Sequence, residues 1–208
     1  MLARHWSSQA RCRPSSHEPE PVSRLMESAR GNLLIAGPGL LDPNFWRTVV
    51  LIIEHTEDGA LGLVLNRPSD STVGEAVPQL EALVDLEEQL FIGGPVQPSS
   101  VIVLAQFEDA SDAALVSFDD VGVLGTGGES ESEEQGAGVR QGRAFVGHAG
   151  WGPGQLDSEL ERDDWIVEPA RHEDAFTTDP LELWGSVLER KGGSYALVAR
   201  MPPDPSVN

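Results

Sequence analysis

Residues 48–66, TVVLIIEHTEDGALGLVLN, carry the reading that decides the fold. Thr48 to His55 is β-branched and apolar without interruption, the pattern of a central strand covered on both faces. Glu57-Asp58-Gly59 supplies a hairpin turn into a second strand, Ala60 to Asn66, so an antiparallel pair is expected. Upstream, LLIAG (Leu33 to Gly37) is a buried-type strand stopped by Gly37-Pro38, and the DPNFW loop (Asp42 to Trp46) connects it to the pair. Downstream, Thr72 to Glu75 reads as a capping box. Val73, Ala76, Val77 and Leu80 keep helical spacing after it, with Pro78 cutting the helix short. LFIGG (Leu90 to Gly94), SVIVLAQF (Ser100 to Phe107), ALVSFDDVGVL (Ala114 to Leu124), RAFVGHAG (Arg143 to Gly150) and WIVEPA (Trp165 to Ala170) read as further strands. Leu156 and Leu160 suggest a short helix. Asp179 as N-cap, Pro180 and Glu182 predict another, with Leu181, Trp184, Val187 and Leu188 facing inward and Lys191 and Gly192 closing it. SYALVAR (Ser194 to Arg200) reads as the final strand. Strands joined by hairpins, without regular strand-helix alternation, define an α+β domain with a mixed sheet.

The domain is expected over residues 25–208. Residues 1–24 mix Arg, Ser, Pro and Glu without periodicity and read as a disordered leader, with Met26 as an alternative start. The Arg and Ser without acid in residues 1–17 also suit a transit peptide, but no amphipathic stripe accompanies them. Residues 126–138, TGGESESEEQGAG, read as a mobile acidic loop. Of 208 residues, 14 are Lys or Arg and 34 are Asp or Glu, a net charge of −20. Four arginines and two glutamates, Glu18 and Glu20, lie in the leader, leaving 10 basic against 32 acidic residues, a charge of −22, on the remaining 184 residues. Such a body repels phosphate backbones and anionic membrane surfaces, so direct nucleic-acid binding and membrane association are not expected. No apolar run approaches the ~18 residues of a membrane span, and the leader has no apolar h-region, which points to a cytoplasmic protein. The single cysteine, Cys12, excludes an intramolecular disulfide.

Three strands run into the same punctuation: LLIAGP, LFIGGP and FVGHAGWGP. Glycine permits close approach and proline fixes the exit, so Gly37, Pro38, Gly93, Gly94 and Pro95 would frame a rigid crevice with Gly150 and Trp151 if the ends converge. Otherwise they are strand-terminating turns. Asn66-Arg67-Pro68 places a planar, bidentate donor at a loop entrance, suited to a carboxylate or phosphate, or to an internal salt bridge. Trp151, between Gly150 and Gly152 and ahead of Gln155, is an aromatic on a stiff loop, for ligand stacking or for core packing. Gly37-Pro38-Gly39 opens like a dinucleotide loop but has Asp42 at the third glycine position, and the only lysine, Lys191, fits no P-loop. Gly192 to Ala196 (GGSYA) imitates a nucleophile elbow yet precedes a strand where a helix is required. Cys12 sits in a leader that cannot orient a base. His55, His148 and His172 lack the spacing of a metal pair. No catalytic residue, cofactor or metal is therefore expected.

The segments GNLLIAGPGLLDPNFWRTVVLIIEHTEDGALGLVLNRPSDSTVGEAV, LFIGGPVQPSSVIVLAQ, GHAGWGPGQLDSEL with DDWIVEPA, and the closing PDPSVN resemble the YqgE/AlgH family in motif order, from about Gly31 to Asn208. The resemblance implies a single compact domain with a mixed, bifurcated β-sheet surrounded by a few short helices. It brings no established catalytic residues, and the family's label of transcriptional regulator rests on no DNA-binding motif. The acidic stretch and leader look extra, Pro78 interrupts a helix the family tends to continue, and His148 stands where Tyr is common. The functional expectation is a non-enzymatic regulatory module that binds a small ligand or protein partner at Gly37, Pro38, Asn66, Arg67, Pro68, Gly93, Gly94, Pro95, His148, Gly150, Trp151 and Gln155. A second reading is a hydrolase or transferase in which Arg67 grips an anionic substrate and His148 or Glu54 is the base. A third is a transcriptional regulator that acts indirectly, without touching DNA.

Overall fold

The computed structural model of the protein describes residues 28–124 and 138–201. The leader with Cys12 and Met26, nearly all of the acidic loop at 126–138, and the closing PDPSVN lie outside the described residues.

The decisive hairpin forms as read: β2 (Val49–Thr56) and β3 (Gly59–Val64) pair antiparallel, Val50 opposite Val64. β1 (Asn32–Ala36) adds to β2, and β10 (Trp165–Pro169) adds to β1 as an edge strand. β4 (Pro68–Thr72) pairs with β5 (Gln89–Ile92). β6 (Val96–Phe107) runs along β9 (Val139–Trp151), and β7 (Leu115–Phe118) and β8 (Val121–Val123) complete the sheet beyond β6. The order is β10-β1-β2-β3-β9-β6-β8-β7, with β5 and β4 leaving the path at β9. The β5–β9 pairing is parallel, Phe91 opposite Phe145, whereas the other pairings are antiparallel. This is the mixed sheet and its fork. Gly93 occupies the branch point: its N–H donates to Val146 O at 2.8 Å and its carbonyl accepts from Val64 N at 2.9 Å. A side chain there would put a Cβ 2.3 Å from Gly147 O, so only glycine lets the two branches meet.

Alternation along β1 and β2 divides the core. Leu33, Ile35, Val49, Leu51 and Ile53 face α4 (Leu183–Lys191), which contributes Leu183, Trp184, Val187 and Leu188. Leu34, Ala36, Val50 and Ile52 face the opposite side with Trp151, Trp165 and Leu156 of α2 (Gln155–Glu161). Both faces of the hairpin are thus buried, which is why its strands carry no polar alternation. A third cluster packs α1 (Val73–Ala76) and Val77 onto Val103, Ala105, Phe107 and Ala144. The capping box of α1 is present, and the helix ends ahead of Pro78, which opens a short 3-10 turn.

Three readings are corrected, and two elements went unread. Ser194 to Arg200 is not a strand: Tyr195–Ala199 forms helix α5, because Tyr195, Val198 and Ala199 lie at helical spacing and pack on the α4 layer while Leu197 faces out. Ala114 to Leu124 is two strands, since Asp119 adopts φ +43° and turns the chain back on itself. The helix predicted from Asp179 begins at Leu183, after a turn in which Leu183 N–H donates to Pro180 O. Leu181 is accordingly 74% exposed, not inward. α3 (His172–Ala175) and β4 carried no sequence signal in this reading.

Candidate functional site

The loop between β1 and β2 organises the residues singled out by sequence. It leaves β1 at Gly37, whose N–H donates to Asp164 O at 3.2 Å, and passes through exposed Pro38. Asp42 nucleates its turn, accepting from Asn44 N–H at 2.8 Å through Oδ1 and from Trp46 N–H at 2.7 Å through its carbonyl. From β3, Asn66 closes the loop's far end: its Oδ1 accepts from Val49 N–H and its Nδ2 donates to Arg47 O, both at 2.9 Å. The neighbouring Arg67 Nη2 donates to Pro43 O at 3.3 Å and Trp46 O at 3.1 Å. Asn66-Arg67 therefore grips backbone carbonyls, and Arg67 makes no internal salt bridge among the described residues. Its own carbonyl accepts from Ile92 N–H at 2.8 Å while Pro68 pairs with Phe91, so the same tripeptide anchors the β4–β5 branch.

One side of the loop is nailed to the core. Phe45 stacks on Trp151 with centroids 6.3 Å apart and meets Trp165 edge-on at 5.6 Å. Trp151 is only 6% exposed, so it takes the packing role of the two that its sequence context allowed. Both indoles donate to a single carboxylate oxygen, Glu159 Oε2, at 2.9 Å from Trp151 and 2.8 Å from Trp165. Gln155 holds that carboxylate in place through Glu159 Oε1 at 2.9 Å, and its own Oε1 accepts from Gly152 N–H at 3.1 Å. Gly150, Trp151 and Gln155 thus form a rigid knot beneath the loop.

The loop's other side faces solvent. Leu41 is 75% exposed and Trp46 38%. Arg47, held at φ +53°, lays its guanidinium 5.3 Å over the Trp46 ring and 4.5 Å over Trp184, and donates to Met201 O. Met201 is exposed as well, so Trp46 and Met201 flank one cation with apolar surface, and Leu181, three residues ahead of Trp184, is exposed too.

Two of the three Gly-Pro ends, at Gly37 and at Trp151, meet through Phe45. The third meets the Trp151 segment further upstream, at Gly147 to Ala149. Gly93, Gly94 and Pro95 lie at the fork, where Gly94 packs on the backbone of His148 and Ala149. His148, half-buried, has Nδ1 3.2 Å from Ala149 O and its ring against Gly150. Glu54, the other candidate base, sits on β2 opposite Leu61. Among the described residues no group of three or more His, Cys, Asp and Glu side chains is placed to hold a metal, and no helix is long and apolar enough to cross a membrane. Phe45, Arg47, Glu159 and Trp165 were not singled out from sequence. The DPNFW segment, a Phe and a Trp in a turn, was the one signal available.

A single domain with a ten-stranded, forked mixed sheet and few short helices is the class that these features define. The chain belongs to the AlgH-like family, whose sequence profile matches residues 33–196. A UPF0301 protein of Thermobifida fusca is 40% identical over 190 residues, covering 87% of this chain and 96% of that one. A UPF0301 protein of Streptomyces coelicolor is 38% identical over 187 residues. The crystal structure of a Corynebacterium diphtheriae protein superposes with a TM-score of 0.75 at 33% identity, covering 84% of this chain and 93% of that chain. The solution structure of the AlgH protein from Pseudomonas aeruginosa gives 0.63 at 29%, covering 86% and 97%.

Proposed function

We propose that the protein is a cytoplasmic, non-enzymatic regulatory module that docks a protein partner on the Leu41–Trp46 loop. The observation that carries this reading is a contrast within one loop: Asn66, Arg67 and Phe45 fix its backbone, while Leu41 and Trp46 are left in solvent. Fixing a loop before binding removes ordering entropy from the association, and an exposed Trp beside an Arg is the side-chain pairing that dominates binding hot spots. The net charge of −20 directs any effect on transcription through such a partner and away from DNA itself.

Leu41→Glu and Trp46→Ala test it. Both side chains are exposed, so the variants keep the wild-type thermal midpoint within a degree or two. Proteins recovered with the wild-type chain by in-cell crosslinking and quantitative mass spectrometry are expected to drop at least tenfold with either variant. Equal recovery with wild type and both variants overturns the reading. Turnover of phosphoesters or acyl esters lost in Arg67→Ala would favour the hydrolase in its place.

A further inference from the structure

At the outer edge of the hairpin layer, β10 has an unpaired side. Its bonds to β1 fix which one. Gly37 N–H donates to Asp164 O and Ala170 N–H to Gly31 O, so Ile166 and Glu168 are the residues that bond β1 within the strand. Trp165, Val167 and Pro169 therefore turn their backbone groups away from the sheet. Lys191 Nζ caps the Val167 carbonyl at 2.8 Å and pairs with Glu168 at 3.0 Å, and Pro169 has no N–H. Those are familiar guards on an edge strand. They stop short of three groups: the N–H and C=O of Trp165 and the N–H of Val167, which have no partner among the described residues.

A cavity of about 470 Å³ opens beside those three groups. Leu160, Trp165, Ile166, Val167 and Tyr195 give it apolar walls, and Asp163 and Lys191 supply its charges. Lys191 is paired with Glu168, and next to the cavity Arg162 is paired with Asp164 at 3.0 Å, which leaves Asp163 as the unpaired charge of the lining. Backbone groups at a sheet edge, side-chain-sized apolar depth and a net negative wall meet in one place. A small polar metabolite would not need the strand edge, and an acidic peptide would be repelled.

We propose that this edge binds an extended peptide by strand addition, with an apolar side chain in the cavity and a basic one toward Asp163. In strand addition the main chain supplies affinity and the alternate side chains supply selectivity. The site borders the Leu41–Trp46 loop through Trp165, against which Phe45 packs, but it is read at Val167 and Asp163, which that loop does not use.

The test uses the full chain and a library of acetylated, amidated pentapeptides built from Val, Leu, Phe, Arg and Glu. Binding is read by fluorescence polarisation, and hydrogen exchange at the Val167 amide is followed alongside. Arg-Val-Arg-type members are expected to bind and to slow exchange at Val167, whereas Glu-containing counterparts do not. Val167→Pro removes an outward N–H that the β1 ladder does not use. It should weaken binding about five- to tenfold, the worth of one hydrogen bond, with the thermal midpoint retained. Asp163→Asn should erase the preference for Arg and leave backbone-driven binding in place. Four results would each overturn the proposal: no library member slowing Val167 exchange at millimolar concentration, a Val167 amide already protected in the free monomer, a concentration-dependent dimer that Val167→Pro dissolves, or affinities indifferent to both variants.

Discussion

Gly93 shows how much a single residue can decide. Its missing side chain admits Gly147 O to a distance at which no Cβ fits, and the contact is backbone on backbone, so nothing flexible can yield. Gly93→Ala should destabilise the protein by about 1–3 kcal/mol or more, seen as a lower urea midpoint. A variant as stable as wild type would show that the fork tolerates opening. Sequence marked Gly93-Gly94-Pro95 as a place of close approach but not what approaches, because the partner lies more than fifty positions along the chain across a parallel pairing. Glu88 gave no signal at all, being one acid in an acidic run. In the fold its Oε2 is buried with no partner among the described residues, and burial pushes its carboxyl above the ordinary range, with Arg143 countering in part. A raised carboxyl pKa means that the folded state binds the proton more tightly than the unfolded chain. Stability then falls as pH climbs from the ordinary carboxylate value, ~4.3, through the raised one. Glu88→Gln is expected to have a higher thermal midpoint than wild type at neutral pH, the gap closing in acid. Parallel profiles for the two proteins would refute the burial account. Asp120 runs the other way: its contact with His172 lowers its carboxyl, so its contribution is present above the ordinary range and fades as pH falls through the lowered value.

At the scale of elements, α2 is held less by its own sequence than by one carboxylate. Seven residues are too few to be stable as an isolated helix, and only Leu156 is buried in it. Glu159 accepts both indole donors, so Glu159→Ala strands two N–H groups in an aromatic cluster. Hydrogen bonds to a charged acceptor are worth ~1.5–3 kcal/mol each. The variant should lose about 2–4 kcal/mol and shift tryptophan emission to the red, while Glu159→Gln, with one acceptor oxygen left, falls between. Unchanged emission in the alanine variant would assign the docking of α2 to Leu156 alone. Elements of this kind divide by how local their cause is. Val49 to Ile53 and Thr72 to Glu75 were readable because hydrophobic continuity and capping chemistry are properties of neighbouring residues. The Ser194 to Arg200 segment was misread because its alternation and its helical spacing compete, and the choice falls to the α4 surface that Tyr195 and Val198 find. The candidate site divides likewise: Asn66, Arg67 and Trp151 were visible by type, but their common object, the Asp42 to Arg47 loop, is a tertiary fact.

For the molecule as a whole, the charge is the property with the longest reach. Ion pairs such as Arg190 with Asp174, 2.7 Å apart and nearly buried, are local and little affected by salt. Acids outnumber bases throughout a chain with a net charge of −20, and that self-repulsion acts against the compact state. Screening lengths shrink from ~30 Å at 0.01 M to ~3 Å at 1 M ionic strength, so added sodium chloride weakens the repulsion long before it reaches the buried pairs. The thermal midpoint should therefore rise with salt over that range. A midpoint that falls instead would mean that surface attractions outweigh the net repulsion. The same field argues against DNA contact without reference to any motif: a polyanion approaching this body must bring counterions with it, whereas specific binders gain by releasing them. Fluorescently labelled duplex at physiological ionic strength should show no change in polarisation, whatever its sequence. Binding that weakens steeply with salt would require a cluster of the few arginines strong enough to overturn the whole-molecule charge, and would make direct DNA contact the better reading.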